Sequence, residues 1–158
     1  MSAPFARAPV RQYIVWGPFP RDGAVAKLPI DHRTGTIANA HDPAIWTDHD
    51  SAAAAAARFG AEYGVGFVLT EADPYWFLDI DHALVDCVWS PLAAELCAAL
   101  AGCYVEVSYS GTGLHIIGRG EVPPHSTKNT ALGLELYTSG RFCALTGTHA
   151  RGAMDHEP

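Results

Sequence analysis

The sequence predicts an α+β domain in which helices pack on a mainly antiparallel sheet. Short runs rich in β-branched and aromatic residues outnumber the two segments that carry helical caps. Turns of a few residues, containing glycine or proline, separate neighbouring runs and favour hairpins over parallel crossovers. The chain of 158 residues has room for one domain with a substantial core. We expect a single domain over 1–158, with an α/β portion at 1–70, a portion with polar strand motifs at 71–148 and a frayed tail at 149–158.

Before residue 64, the pattern predicts two strands and two helical segments. The first strand stops at Gly17, and Pro29 places the second at a sheet edge. Asp42 caps a short helical turn, and either Asp50 or Ser51 caps an alanine-rich helix that closes near residue 60. The four elements cover 12–16, 27–30, 42–46 and about 51–59.

The rest of the chain predicts three strand pairs and one further helix. Ser90 caps this helix, Pro91 takes its first position and Gly102 stops it. Its apolar face should cover the sheet, and that face comprises Leu92, Leu96, Ala99 and Leu100. The strand pairs are 64–70 with 75–81, 104–108 with 114–118, and 133–137 with 142–146.

Composition argues against several broad classes of protein. A net charge of −7 disfavours a generic nucleic-acid coat, although the first 33 residues hold five basic side chains against two acidic ones. No apolar run is long enough to span a bilayer, and residues 1–10 lack the apolar core of a signal peptide. We therefore expect a cytoplasmic protein with no membrane partner and with reduced cysteines in its core. These cysteines are Cys87, Cys97, Cys103 and Cys143.

Two acids separated by one residue end the most apolar strand. Because side chains alternate along a strand, Asp79 and Asp81 should share a face while Ile80 points into the core. Two neighbouring carboxylates repel each other, and a bound cation relieves that repulsion. On this stretch alone, solvated turn acids remain an equal alternative.

Three further polar side chains lie in or next to apolar strands. His115 interrupts an apolar run after a glycine-rich turn, Glu135 lies between two leucines, and Arg141 opens the next strand. A charged group inside a strand is costly unless it has a partner. Any one of these residues alone could also be a hydrogen-bonded core side chain or a solvated side chain. The prediction of a functional site therefore depends on their occurring together.

These groups predict a site for a divalent metal beside a site for phosphate. Three carboxylates from two strands suit Mg²⁺ or Mn²⁺, and no cysteine or histidine cluster has zinc spacing. Amides of the turn 110–113 can approach an anion closely, and the Arg141 guanidinium matches phosphate oxygens. Such an arrangement suits nucleotidyl transfer.

Three segments carry a resemblance to a known family. FLDIDH at 77–82, SGTGLHIIG at 110–118 and LELYTSGRFCALTG at 134–147 look like the three motifs of the archaeo-eukaryotic primase superfamily, in order. The likeness is closest to the primase-polymerase domains of phage and plasmid replication proteins. Residues 16–27 and 42–46 resemble the segment that precedes the motifs in those domains. The family fold packs an N-terminal α/β unit with an RRM-like, mainly antiparallel catalytic sheet.

The resemblance implies roles for particular residues. Asp79, Asp81 and Glu135 would hold the metal, and with His115 they would form the catalytic set. The nucleotide-binding residues would be Ser110, Gly111, Gly113, His115, Arg141 and Lys27. Lys128 is a weaker candidate for nucleotide or template contact.

The resemblance also implies an activity and its partners. The expected enzyme is a DNA primase and DNA-directed DNA polymerase that transfers nucleotides to a 3′-hydroxyl by a two-metal mechanism during phage or plasmid replication. Its partners would be dNTPs or NTPs, a single-stranded DNA template, a primer, and a helicase domain or protein. Such proteins usually continue past the third motif.

Two other classes of function fit parts of the sequence. Glycosyltransferases also use Asp-x-Asp, but they place it in a doubly wound α/β sheet, which this pattern does not predict. A non-catalytic module could bind nucleotide or single-stranded nucleic acid by stacking on Trp46, Tyr75 and Trp76. Acids at all three expected metal positions favour catalysis over this second alternative.

Overall fold

The computed structural model describes residues 6–158. Every pair of named strands within these residues is antiparallel, and two α-helices accompany them, in agreement with the predicted α+β class. The helices are α1 (His49–Phe59) and α2 (Pro91–Ala99), with a 3-10 turn at Pro43–Ile45. The strands are β1 (Tyr13–Arg21), β2 (Ala24–Ile30), β3 (Gly64–Leu69), β4 (Tyr75–Ile80), β5 (Leu84–Val85), β6 (Val88–Trp89), β7 (Tyr104–Val107), β8 (Leu114–Arg119), β9 (Lys128–Asn129), β10 (Leu134–Tyr137) and β11 (Arg141–Leu145).

The described residues form two compact units that do not follow the chain order. The smaller unit comprises Pro9–Thr70 and Gly140–Leu145. The larger unit comprises residues 6–8, Glu71–Ser139 and Thr146–Pro158. The chain therefore enters the smaller unit twice, the second time only to add β11.

The smaller unit is a four-stranded sheet with strand order β11-β3-β1-β2. β3 is buried along its whole length, and α1 packs on β1 and β3. Gly66 in β3 is needed because an added Cβ would lie 2.8 Å from the Phe142 ring carbon Cδ2. The core of this unit includes Ile14, Ile45 and Val68.

The first strand is longer than predicted. It continues past Gly17 to Arg21 and pairs with β2 from Val15 onward, while its pairing with β3 ends at Trp16. Beyond Trp16 the strand pairs only with β2, so its other edge is open. Pro18 has no amide hydrogen, and on the open edge no neighbouring strand needs one. The predicted edge position of β2 is confirmed.

The larger unit is a five-stranded sheet with order β7-β8-β4-β10-β9, and the hairpin β5-β6 stands apart from it. One face of the sheet presents alternate apolar residues such as Leu78, Ile80 and Ile116. α2 packs on this face through Ala93, Leu96, Cys97 and Leu100, so the covering role of the helix is confirmed. Ala99 was predicted to lie on this packing face, but it is exposed.

Two of the three predicted strand pairs are wrong. β7 and β8 do pair, as expected. However, β3 pairs with β1 and β11, whereas β4 pairs with β8 and β10, so the runs before and after Asp73 form no hairpin. Likewise β10 and β11, which flank Ser139, belong to different sheets. Proximity in sequence favours hairpins, but burial of both faces of β3 and β4 requires long-range partners.

The helix caps are close to those predicted. Asp42 caps the 3-10 turn with Pro43 at its first position, and Ser90 caps α2 by accepting from the amide of Ala93. α1 begins earlier than expected, because its cap is Asp48 rather than Asp50 or Ser51. The Asp48 carboxylate accepts from both the amide and the hydroxyl of Ser51, at 2.8 Å each.

The C-terminal residues are ordered by pairing and are not frayed. Backbone hydrogen bonds join Val105 to Arg151 in both directions, and the amide of Tyr104 donates to Ala153. The Met154 side chain is fully buried, and its sulfur accepts from the amide of Ala8. The sequence predicted a frayed tail because residues that pair only through isolated β-bridges show no periodic apolar pattern.

The four cysteines are free, and they differ in burial. Cys103 and Cys143 are buried and Cys97 is half-buried, but Cys87 is exposed at the β5-β6 turn and corrects the expected core assignment. Neither helix in residues 6–158 combines the length and apolar character needed to cross a membrane.

Met154→Ala should lower the free energy of unfolding by about 2–5 kcal/mol, because it empties a fully buried site. Glu157→Ala, an exposed change in the same segment, should stay within about 0.5 kcal/mol of the parent. Urea unfolding of both variants measures the difference. Equal stability of the two variants would show that the segment does not contribute to the core.

Candidate active site

The second face of the larger unit's sheet carries a row of polar side chains, one from each of five strands. In order across the sheet, the row consists of Glu106, His115, Asp79, Glu135 and Lys128. Each member is the direct register partner of the next. Direct cross-strand partners point to the same face, with Cβ atoms about 5 Å apart. We call this set the polar row.

The polar row results from the alternation of β4 between two faces. Trp76, Leu78 and Ile80 point to the core beneath α2. Phe77 and Asp79 therefore point to the opposite face, where Asp79 is partly exposed. The predicted burial of Ile80 beside a more accessible Asp79 is confirmed.

Asp79 and Glu135 are direct neighbours, each with a partner on its other side. Nε2 of His115 lies 3.8 Å from Oδ1 of Asp79. Nζ of Lys128 lies 3.4 Å from Oε1 of Glu135, and the Tyr137 hydroxyl donates to Oε2 of Glu135. Like charges directly opposite each other destabilise a sheet, so the Lys128 ammonium and the Tyr137 hydroxyl offset part of the repulsion.

Asp81 lies just beyond the row. β4 ends at Ile80, so Asp81 is an exposed residue of the following turn, although its amide still donates to the carbonyl of Gly133 at 2.8 Å. This bond continues the β4-β10 ladder by one step and holds the Asp81 backbone beside the end of the row. The predicted grouping of Asp79 with Glu135 is thus present on adjacent strands, and Asp81 adjoins them along the chain.

His115 is buried and bonded to an acid that the sequence interpretation missed. Its Nδ1 lies 2.8 Å from Oε1 of Glu106, which has no exposed surface. Burial acts to raise the pKa of Glu106, but the hydrogen bond and charge of His115, with further hydrogen bonds from Tyr104 and Gly147, hold it below the usual value. Glu106 is therefore a buried carboxylate.

Aromatic rings on the same face restrict the polar side chains. The Phe77 ring meets His115 edge to face, with ring centroids 5.0 Å apart. Phe77 also stacks with Tyr137 at 6.1 Å, and Tyr137 in turn donates to Glu135. Phe77 therefore supports both the histidine and the acid on either side of Asp79.

The glycine-rich turn before β8 uses its amides internally. The amide of Gly111 donates to the carbonyl of Ser108, that of Thr112 to the Ser110 hydroxyl, and that of Gly113 to the Ser108 hydroxyl. In this conformation the amides thus bind protein oxygens instead of the anion that the sequence suggested. The groups presented to solvent are the linked hydroxyls of Ser110 and Thr112.

The two remaining predicted residues belong to the smaller unit. Arg141 is exposed at the start of β11 and pairs in register with Leu69. Lys27 is exposed on β2, and its ammonium lies 5.6 Å from the centre of the Trp16 ring. β11 and β2 are opposite edges of their sheet.

Glu106 and Tyr137 are the members of this site that sequence reasoning missed. Glu106 lies between two valines in the same way that Glu135 lies between two leucines. A charged residue inside an apolar strand was therefore a signal in both places, but only Glu135 was used. The contact of Tyr137 with Glu135 could be anticipated only from their shared strand face.

The donor set fits a hard divalent cation. Asp79, Glu135 and Asp81 offer only carboxylate oxygens, the ligands that Mg²⁺ and Mn²⁺ prefer. Glu135 already meets the Lys128 ammonium and the Tyr137 hydroxyl, and Asp79 lies 3.8 Å from Nε2 of His115. The residues present therefore fit such an ion.

Comparison with known proteins agrees with the motif resemblance. No protein-family model matches the chain. A protein named DNA primase-polymerase, from Nitratiruptor phage NrS-1, is 39% identical over 153 residues. The match covers 91% of this chain but only 20% of the phage protein, so the chain spans about one fifth of that relative's length. Most of the chain is therefore similar to one segment of a phage primase-polymerase.

Proposed function

We propose that this chain is the catalytic core of a DNA primase and polymerase that adds nucleotides to a 3′-hydroxyl under the direction of a single-stranded template. The observation that carries the proposal is the pairing of Asp79 with Glu135 on adjacent strands, with His115 on the other side of Asp79. The similarity to a phage primase-polymerase supports the same activity.

Asp79, Asp81 and Glu135 would hold divalent metal, either Mg²⁺ or Mn²⁺. Held there, divalent metal would supply activation of the attacking hydroxyl and stabilisation of the leaving pyrophosphate, the chemistry of a two-metal mechanism. The carboxylates themselves orient the ions and supply negative charge. Lys128 contacts Glu135 from the strand on the side opposite Asp79, and Tyr137 contacts it from the same strand.

The incoming nucleotide would meet the turn 110–113 and His115. Because the turn amides are occupied, the Ser110 hydroxyl and His115 are the groups that we assign to the phosphates, with Gly111 and Gly113 shaping the turn. An added Cβ at Gly113 would lie 2.7 Å from the Ser108 hydroxyl, so this close approach requires glycine. Arg141 and Lys27 are kept as proposed nucleotide contacts on the motif resemblance alone.

The two units correspond to the two parts expected of the archaeo-eukaryotic primase fold. We assign the five-stranded antiparallel sheet with α2 to the RRM-like catalytic part. The smaller unit, with its sheet and α1, is assigned to the N-terminal α/β part. On this assignment the 158 residues form one catalytic domain that uses dNTPs or NTPs, a DNA template and a primer.

The two competing functions receive less support. Glycosyltransferases with Asp-x-Asp use a doubly wound parallel sheet, whereas Asp79 lies within a strand that has antiparallel neighbours on both sides. Of the aromatics considered for base stacking, Tyr75 and Trp76 are buried, and Trp46 packs on the core while its indole donates to Ala40. Their burial disfavours a module that binds by stacking on these rings.

Asp79→Ala should reduce primer extension at least about 100-fold, because removing a metal ligand forfeits several kcal/mol of transition-state stabilisation. Its thermal stability should stay equal or rise, since Glu135 loses a like-charged neighbour. Extension of a labelled primer on a single-stranded template, with dNTPs and Mg²⁺ or Mn²⁺, measures the effect.

The matched control for this experiment is Glu121→Ala, an exposed acid of the larger unit outside the polar row. It should extend primers like the parent. Full activity of Asp79→Ala would remove the metal assignment, and absence of extension by the parent would remove the proposed function. Omitting the primer then tests whether the domain starts chains.

Arg141→Ala should raise the KM for nucleotide by about 10- to 100-fold, the effect of one lost hydrogen bond to a charged group. Arg141 is exposed, so the fold should not change. Arg58→Ala, another exposed arginine of the smaller unit, is the control. An unchanged KM in Arg141→Ala would count against the phosphate role.

A further inference from the structure

Exposed apolar side chains collect at the end of the larger unit's sheet where β4 ends. Single exposed apolar residues are common in soluble domains, but a group of them beside a polar site indicates a contact surface. Among the described residues of the larger unit, five large apolar side chains are exposed, and all of them belong to the β5-β6 hairpin or to the loops before β8 and β10. We call this set the apolar rim, and its members are Val85, Val88, Trp89, Tyr109 and Leu132.

Backbone hydrogen bonds hold the three segments of the apolar rim together. The amide of Asp81 donates to the carbonyl of Gly133, and the amide of Leu84 donates to the carbonyl of Thr112, at 2.8 Å each. The chain that leaves β4 therefore runs between the loop before β10 and the turn before β8. Because Asp81 lies in this chain, the apolar rim adjoins the acids of the candidate metal site.

The β5-β6 hairpin presents apolar side chains on both of its faces. Val85 and Val88 are register partners and share one face, while Leu84 and Trp89 share the other. The hairpin pairs with no strand of the five-stranded sheet, and Val88 remains 67% exposed and Trp89 39% exposed. These side chains therefore contribute little to the core and are accessible to a ligand.

The chemistry of the apolar rim favours nucleobases over phosphates. Trp89 and Tyr109 are aromatic, and aromatic rings stack on the flat faces of unpaired bases of any sequence. The three segments that form the rim, 81–90, 108–113 and 130–133, contain no lysine or arginine that could bind a phosphate chain. A strand seated on the rim would therefore be held through its bases.

The position of the apolar rim decides between a nucleic acid and a protein as its occupant. In the proposed function Asp81 belongs to the metal-binding acids, and the template strand has to lie beside them. A protein partner or a second copy of this chain seated on the rim would instead cover that end of the site. A single-stranded nucleic acid is the occupant that leaves the acids in use.

We propose that the apolar rim is the contact surface for unpaired bases of the single-stranded DNA template, with Trp89 and Tyr109 as its stacking rings. This inference rests on the proposed function, which requires a template. It gives a role to the β5-β6 hairpin, which carries none of the predicted site residues. The rings differ from the three that the sequence suggested for stacking, two of which are buried.

Binding of the full chain to a labelled oligo-dT, followed by fluorescence anisotropy without metal or nucleotide, tests the surface directly. Trp89→Ala and Tyr109→Ala should each weaken binding about 5- to 150-fold, the range for one lost stack between a base and a ring. Trp89→Phe, which keeps a ring, should retain most of the affinity. Val25→Ala, a change at an exposed valine of the smaller unit, is the matched control and should bind like the parent.

Salt separates stacking from phosphate contact. Affinity that comes from phosphate contacts falls steeply between about 50 mM and about 200 mM salt, because bound counterions are released. The apolar rim has no basic side chain, so the fold-loss caused by Trp89→Ala should be the same at both concentrations. A fold-loss that disappears at the higher concentration would contradict a stacking role.

Tryptophan fluorescence reports the contact itself. Trp89 is the most exposed of the four tryptophans, so oligo-dT should quench the emission of the parent. In Trp89→Phe the quenching should be lost while the affinity is kept. This pair of readouts distinguishes a ring that stacks on a base from one that only stabilises the hairpin.

Four results would overturn the inference. They are a parent that does not bind oligo-dT, unchanged affinity in both Trp89→Ala and Tyr109→Ala, quenching that persists in Trp89→Phe, and a dimer of the parent that Trp89→Ala dissociates without loss of DNA affinity. The last result would make the rim a contact between copies. Because these measurements need no catalysis, a parent that binds DNA through the rim but extends no primer contradicts only the proposed function.

Discussion

The register between β4 and its two neighbours is the constraint on which the candidate site depends. A shift of one residue would move Asp79 to the core face and bring Leu78 or Ile80 to the site. The register is held because the core face is continuous, with Leu78, Ile116 and Leu136 packed beneath α2. Apolar packing on one face of the sheet thereby determines which polar groups meet on the other.

The polar row also shows how a sheet tolerates several acids on one face. Glu106 is buried, yet it is surrounded by donors from His115, Tyr104, Thr146 and Gly147, so its desolvation is offset. Asp79 and Glu135 are less buried than Glu106. The difference in environment separates an acid that holds another side chain from acids that fit a metal ion.

The relation to a phage primase-polymerase concerns one fifth of that protein, and it agrees with an α+β domain whose polar motifs lie on neighbouring strands. Within this domain the structure modifies the chemistry suggested by the motif 110–118. Glycines in the turn were expected to expose amides, but here they allow the turn to close on itself through serine hydroxyls. The linked hydroxyls of Ser110 and Thr112 are thus the groups that the turn presents to solvent.

Local patterns were sufficient to locate the strands that carry Asp79, His115 and Glu135, and the caps at Asp42 and Ser90. These strands and caps depend on the alternation of side chains or on hydrogen bonds between residues a few positions apart, and both can be recognised in the sequence. The same patterns misassigned the partners of β3, β4, β10 and β11, because short loops made hairpins the simplest choice.

The tertiary structure alone decided which of the polar residues become neighbours. Asp79 comes to lie between His115 and Glu135 through pairings of β4 with strands distant in the chain, and the C-terminal segment gains its order from β7 in the same way. Such pairings depend on burying both faces of a sheet at once. This is a property of the whole packed domain, and the local alternation of apolar and polar residues does not predict it. The sequence by itself therefore determined the chemical groups of the site, and long-range register determined their arrangement.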